Sequence, residues 1–224
     1  GRVLGSWDRF LVAWPFGRGV IVWGDPIAVA RDAAFAFTYP HILGGWRHAG
    51  AELSFFSPLA DEAPASGADA VYLPGGYPEL HAGRLAGSAR FLDGLRTAAR
   101  DGAHIYGECG GYMTLGAVLT DADGISHRMA GLLPHETSFA EPKRHLGYRT
   151  ATMLADTPLG PAGSTWRGHE FHYAVTVGAT TAKAPGSTPL FRIKDASGSD
   201  LGEIGARIGT VFGSFMHLID RSDA

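Results

Sequence analysis

Asp69 to Leu73 reads Asp-Ala-Val-Tyr-Leu, almost wholly apolar and without the alternation of a strand that has one wet face. A short run of that kind is a strand buried on both sides of a parallel sheet. Ile27 to Arg31 and Ala51 to Ser57 read as earlier strands, and Ala103 to Tyr106 as a fourth. Helix-length segments separate them. One is Pro40 to Gly50, weakened by Gly44-Gly45. The other has Ser88 as its N-cap, Phe91, Leu92, Leu95, Ala98 and Ala99 at helical spacing, and Gly102 as its stop. Strands joined by helical crossovers predict an α/β fold with a doubly wound, mostly parallel sheet. The second half carries shorter strand-like runs at His145–Leu154, Gly168–Val177, Leu190–Lys194, Leu201–Ile208 and Thr210–His217. Turn signals such as Asp195-Ala196-Ser197-Gly198 lie between them, so additional antiparallel strands are expected there. A Thr/Ala/Pro/Gly-rich loop spans Gly178 to Pro189.

In doubly wound sheets function gathers at the carboxyl ends of the strands. Two turns fall at such ends: Pro74-Gly75-Gly76-Tyr77-Pro78 and Gly107-Glu108-Cys109-Gly110-Gly111. The second holds the only cysteine. A strand bending sharply into a helix, with glycine on both sides, is the layout of a nucleophile elbow. At a helix start the backbone N–H groups favour the thiolate, the reactive form. A lone cysteine is otherwise a small buried hydrophobe, but the glycine flanks favour the nucleophile. Attack on a carbonyl creates an oxyanion that needs fixed N–H donors. Gly76 or Tyr77 on one turn and Gly110 on the other are the candidates, where the ordinary alternative is a tight turn and nothing more.

The cysteine also needs a base. His48 and His127 read as surface residues, and His41 and His81 as parts of helix starts. His217 ends the apolar run Val211 to Met216 late in the chain, a workable order because catalytic partners are neighbours in space and not in sequence. His169-Glu170-Phe171-His172 lacks the helical spacing of a zinc motif, and in a strand its two histidines face opposite ways. No metal site is therefore expected. Glu170 and His172 share one face, which leaves either as a supporting or substrate-facing group.

Composition narrows the function classes. With 19 basic and 22 acidic residues in 224, the formal charge is −3, and there is no single-sign run to suggest nucleic acid or a membrane surface. No apolar stretch is long enough for a transmembrane helix, since Phe10 to Trp23 is broken by Pro15, Gly17, Arg18 and Gly19. A single cysteine suits a reducing cytoplasm. The chain starts at Gly1, not Met, so a processed product or part of a longer protein is expected.

Five motifs follow in order: Ala28 to Pro40, Tyr72-Leu73-Pro74-Gly75-Gly76-Tyr77-Pro78-Glu79, Gly107 to Met113, His169-Glu170-Phe171-His172-Tyr173, and Gly213-Ser214-Phe215-Met216-His217. Together they resemble the glutamine amidotransferase domain of cobyrinic acid or hydrogenobyrinic acid a,c-diamide synthases. The resemblance runs from about Pro26 to Asp220 and leaves residues 1–25 as an unassigned N-terminal segment ahead of an amidotransferase domain at 26–224. It implies a class I glutamine amidotransferase-like fold. It also implies that L-glutamine is hydrolysed at Cys109 through a γ-glutamyl thioester, with His217 raising the nucleophilicity of the cysteine. The ammonia would amidate the a- and c-acetate carboxylates of a corrinoid, with ATP and magnesium used by an ATP-binding synthetase domain that is a partner and not part of this chain. No cofactor is expected here, and self-association as a homodimer is left open.

Two departures bear on this. The chain has no phosphate-binding Gly-x-x-x-x-Gly-Lys-Ser/Thr, nor any Gly-Lys dipeptide. Wider class I enzymes place a glutamate two residues after the histidine, where this chain has Ile219, with Asp220 one further on. The orienting group for His217 is thus Glu170 or Asp220, and Glu170 is preferred because Asp220 falls on the opposite face of a strand. The Cys109 end should face the partner, with Pro58 to Gly67 and Pro134 to Arg144 as the rim. Two alternatives stay open: another cysteine-elbow hydrolase on a flavodoxin-like sheet, such as an intracellular peptidase relative, and an inactive amidotransferase-like interaction domain.

Overall fold

Apolar strands with no polar face need cover on both sides, and the central sheet is built that way. The computed structural model describes residues 26–177 and 186–222. The expectations for Gly1 to Asp25, and for the 178–185 part of the Gly178 to Pro189 loop, lie outside the described residues. Strands β1 (Ile27–Ala30), β2 (Leu53–Phe56), β3 (Ala70–Leu73) and β4 (His104–Glu108) pair in parallel. Farther along the chain, β14 (Val211–Ser214) adds in parallel beside β4, and β13 (Ala206–Ile208) closes that edge in the antiparallel sense. The order is β2-β1-β3-β4-β14-β13. β1 and β3 are buried at every residue.

Helices α2 (Ala82–Gly87), α3 (Ala89–Arg100) and α4 (Gly110–Leu115) cover one face, where Phe91, Leu92 and Leu95 meet Ala28, Val71 and Ile105. The other face is covered by α1 (Pro40–His48), through Leu43 and Trp46, and by an antiparallel sheet. That sheet has the order β12-β11-β8-β9-β15, from β8 (His145–Met153), β9 (Thr165–His172), β11 (Phe191–Asp195), β12 (Asp200–Ile204) and β15 (Met216–Arg221). A small third sheet joins β5 (Val118–Thr120), β6 (Ser126–Arg128), β7 (Glu136–Ser138) and β10 (Val175–Val177). No helix of the described residues is long and apolar enough to cross a membrane.

The expected fold class holds, but three strand readings need correction. Gly168–Val177, Leu201–Ile208 and Thr210–His217 are each two strands in different sheets. The breaks fall at Tyr173-Ala174, at Gly205 with φ 75°, and at Phe215. Ser88 does precede α3, yet its hydroxyl donates to the Arg84 carbonyl instead of capping the helix. The cap comes from Asp61, held at φ 57°, whose Oδ1 accepts the Phe91 N–H at 3.0 Å. The helix start is thereby tied to a loop thirty residues away.

The Pro58 to Gly67 loop is also corrected. Only its first turn stays near the carboxyl ends, where Asp32 Oδ2 accepts the Leu59 N–H. Ala63 to Gly67 descend to the amino end and, with Asp69, His104 and Thr210, line a groove of about 840 Å³. None of the candidate site residues lines that groove.

Candidate active site

The elbow is present, and its backbone explains its composition. Cys109 lies between β4 and α4 at φ 45°, ψ −101°, one of two described non-glycine residues at positive φ. Such a conformation costs of order 1–3 kcal/mol and is kept only where surrounding contacts fix it. Here the Cys109 N–H donates to the Ser214 carbonyl at 2.9 Å, and its own carbonyl accepts the Met113 N–H at 3.0 Å. A Cβ on Gly111 would collide with the Leu73 carbonyl, and one on Gly107 would lie 2.8 Å from the backbone of Gly111 and Tyr112. Glycine is therefore required on both sides.

The first Gly-rich turn packs directly onto this elbow. Gly75 accepts the Phe37 N–H at 2.9 Å, and Gly76 sits so close to the Ala34 carbonyl that no side chain would fit. A Cβ on Gly110 would lie 3.1 Å from the Gly76 nitrogen. Gly76 and Gly110 are thus side by side, and the Gly110 N–H faces the Cys109 sulfur. Tyr77 is half exposed and set edge-on against Phe37.

His217 is buried and arrives from β15, opposite His169 in β9. The two rings stack at 4.9 Å, with Tyr39 edge-on to both. A Cβ on Gly75 would overlap His217 Cε1. Gly75→Ala should therefore displace the ring, since His169 and Tyr39 leave it little room to retreat. Overpacking of this kind costs about 1–3 kcal/mol. The expected outcome is a thermal midpoint lowered by several degrees; an unchanged midpoint would show that the ring is not held by Gly75.

β9 alternates as expected: Glu170 and His172 are buried on one face, and His169 lies on the other. Glu170 accepts from Arg149 Nε at 2.7 Å and lies 3.7 Å from His172 Nε2. Burial pushes its carboxyl up, but the nearby His172 ring and the hydrogen-bonded Arg149 guanidinium outweigh this and hold it below the usual range. His172 stacks on His145 and Phe215. Asp220 follows a bulge after Leu218, accepts the Arg221 N–H, and makes no ion pair or hydrogen bond with His217. Neither of the two expected orienting carboxylates is paired with His217. Among the described residues, no three of His, Cys, Asp and Glu gather closely enough to hold a metal ion.

The carboxylate that does approach His217 is one the sequence reading passed over. Glu108, directly before the nucleophile, is 1% exposed, and its Oε2 lies 3.9 Å from His217 Nδ1. It accepts hydroxyl donors from Tyr72 at 2.8 Å and Tyr106 at 2.9 Å, and the Leu218 N–H at 3.2 Å. Burial pushes its carboxyl up to about 7 against the pull of these three donors. The one signal available from sequence was an acidic residue in an otherwise apolar, sheet-centre strand.

Burial also sets the state of Cys109 and His217. It raises the Cys109 thiol to about 12; the Gly110 N–H pulls the other way, while Glu79, Glu108 and Glu170 add to the rise. The thiolate expected from the helix start is outweighed. Burial likewise lowers His217 to about 4, and the neighbouring His169 and His172 lower it further. At neutral pH the two groups rest as a thiol and a neutral imidazole. Such an imidazole is free to accept a proton as the sulfur attacks.

The CobB/CobQ-like glutamine amidotransferase domain model matches residues 26–224. Hydrogenobyrinate a,c-diamide synthase of Brucella abortus is 59% identical over 199 residues, covering 89% of this chain and 44% of that protein. The Rhodobacter capsulatus protein of the same name is 52% identical over 205 residues, covering 90% of this chain and 46% of that protein. The chain thus spans less than half the length of these curated relatives. Among solved structures, a glutamine amidotransferase from Thermotoga maritima superposes with a TM-score of 0.57 at 14% identity, covering 86% of this chain and 75% of that one. PurLQS from Thermotoga maritima superposes with a TM-score of 0.55 at 20% identity, covering 86% and 87%. These two likenesses establish the fold.

Proposed function

The chain belongs to the CobB/CobQ-like glutamine amidotransferase domain family, and from that footing we propose that it is the glutaminase part of a corrinoid a,c-diamide synthase. Cys109 attacks the γ-carboxamide carbon of L-glutamine while His217 takes the thiol proton. The tetrahedral oxyanion is held by N–H groups of Gly110 and of the Gly76-Tyr77 turn. His217 returns the proton to the departing nitrogen, ammonia leaves, and a γ-glutamyl thioester remains. Water, deprotonated by His217, then attacks the thioester to release glutamate and restore the thiol. The observation that carries this reading is the strained, glycine-flanked Cys109 standing against the Gly75-Gly76 turn, which itself packs on His217.

The names of the relatives favour hydrogenobyrinate over cobyrinate as the molecule amidated. In this reading ATP and magnesium serve the synthetase partner. A lone catalytic thiol suits the cytoplasm. Beside the site, Leu146, Tyr148, Phe171 and Tyr173 stand exposed, and the Phe171 carbonyl lies 3.9 Å from the Cys109 sulfur. Lys143, in the Pro134 to Arg144 segment, donates its N–H to the Tyr173 carbonyl. This apolar rim is where a synthetase domain would seat to receive ammonia.

With its thiol held near 12, the chain alone should hydrolyse glutamine slowly and react sluggishly with iodoacetamide at pH 7. Adding an ATP-dependent hydrogenobyrinate synthetase domain with its corrinoid should raise glutamate release by at least tenfold. A fast rate from the chain alone, unaltered by the partner, would remove the argument for coupling.

A further inference from the structure

His217 Nδ1 is buried and has no hydrogen-bond partner in the resting site. A base that takes a thiol proton on one ring nitrogen must place the N–H of the other somewhere. In a buried site an unpartnered imidazolium is strongly disfavoured. We propose that Glu108 is the positioning residue for His217: its carboxylate accepts the Nδ1–H and steadies the imidazolium formed when Cys109 gives up its proton. This rests on the glutaminase reading above.

The geometry supports it from three sides. Glu108 Oε2 at 3.9 Å is within about an ångström of hydrogen-bonding reach, whereas Glu170 is engaged by Arg149 and Asp220 by the Arg221 backbone. The Leu218 N–H bonds to Glu108 Oε1, so the residue after the base is fastened to the residue before the nucleophile. Tyr72 and Tyr106 are almost wholly buried and stacked at 5.7 Å, and their hydroxyls fix the carboxylate from below. The proton stays on the histidine throughout, and the carboxylate supplies orientation and charge.

The ionisable groups around Glu108 are Tyr72 from β3, Tyr106 from β4, His217 from β15, Tyr39 from the segment before α1, and Cys109 itself. Because burial holds the carboxyl near 7, above its ordinary value, its contribution to stability is present at acid pH and lost as pH rises through about 7. At pH 8 the fold carries a buried charge that a glutamine would not.

Glu108→Gln, made in the full chain, should lower kcat for glutamine by about 10²-fold with KM within about twofold. Its thermal midpoint at pH 8 should be equal to or above that of the parent. Activity and stability then move apart, which a purely structural residue would not allow. Full activity in Glu108→Gln, or parallel losses of activity and midpoint, would overturn the proposal. Should the variant not fold, ¹⁵N-histidine NMR of the parent decides, with His217 assigned by its loss in His217→Asn. A protonated Nδ1 is expected, and an Nδ1 unprotonated at every pH would overturn the proposal. Glutamine hydrolysis surviving in Cys109→Ala would instead sink the glutaminase reading, whatever Glu108 does.

Discussion

Cys109→Ala should leave no glutamine hydrolysis above background, a loss on the order of 10⁶-fold, as when the nucleophile of a concerted catalytic group is deleted. The fold should survive, because the contacts that hold residue 109 are backbone bonds to Ser214 and Met113, and alanine keeps both. Alanine also meets the same positive φ as cysteine, so no new strain is introduced. A synthetase partner supplied with free ammonium should still amidate its corrinoid, because only the source of ammonia is lost. Glutamate release measured beside ammonium-dependent amidation separates these effects. If both disappear, the variant has lost its structure or its docking; if neither does, the nucleophile lies elsewhere.

His217→Asn should cut turnover by roughly 10²-fold or more, the usual scale for lost acid–base assistance. The parent pH profile carries its own signature. With the ring neutral down to about 4 and the thiol intact up to about 12, turnover should fall as pH drops through about 4 and show no thiol-dependent step near 8. Stability should follow the same group. Because the folded ring is depressed from 6.5 to about 4, the fold is favoured above 6.5 and loses about 3 kcal/mol as pH falls through 4. His217→Asn should flatten that acid limb while slowing the chemistry. Unchanged turnover would point to His172 as the base, although its Nδ1 is already engaged by the Ala174 carbonyl.

What sequence could reveal was local. The elbow announces itself because glycines 107, 110 and 111 are required by contacts within a few ångströms, and the burial of β3 on both faces is written in its own residues. The strand breaks at Phe215, Gly205 and Tyr173-Ala174 were hidden because strand-forming residues continue on both sides of each; which sheet each half joins is decided by distant partners. Asp61 as the cap of α3 was equally hidden behind a plausible Ser88. Glu108 escaped because its meaning depends on Tyr72, 36 residues earlier, and on the Leu218 N–H, 110 residues later. The expected thiolate failed for a different reason. A helix start is visible in sequence, but the desolvation that outweighs it is a property of the packed site.

The break at Phe215 has a mechanical meaning. Ser214 belongs to the central parallel sheet and Met216 to the antiparallel layer, so the chain crosses between slabs at Phe215, as it does at Gly205, and the proposed nucleophile and base ride on different slabs. Alignment of sulfur and imidazole is therefore a matter of registry between slabs, with the Leu218-to-Glu108 bond acting as the bolt across the seam. Residue 217 keeps its place over the elbow only while the two slabs keep theirs, so a substitution that repacks the outer sheet would reach the site without touching it.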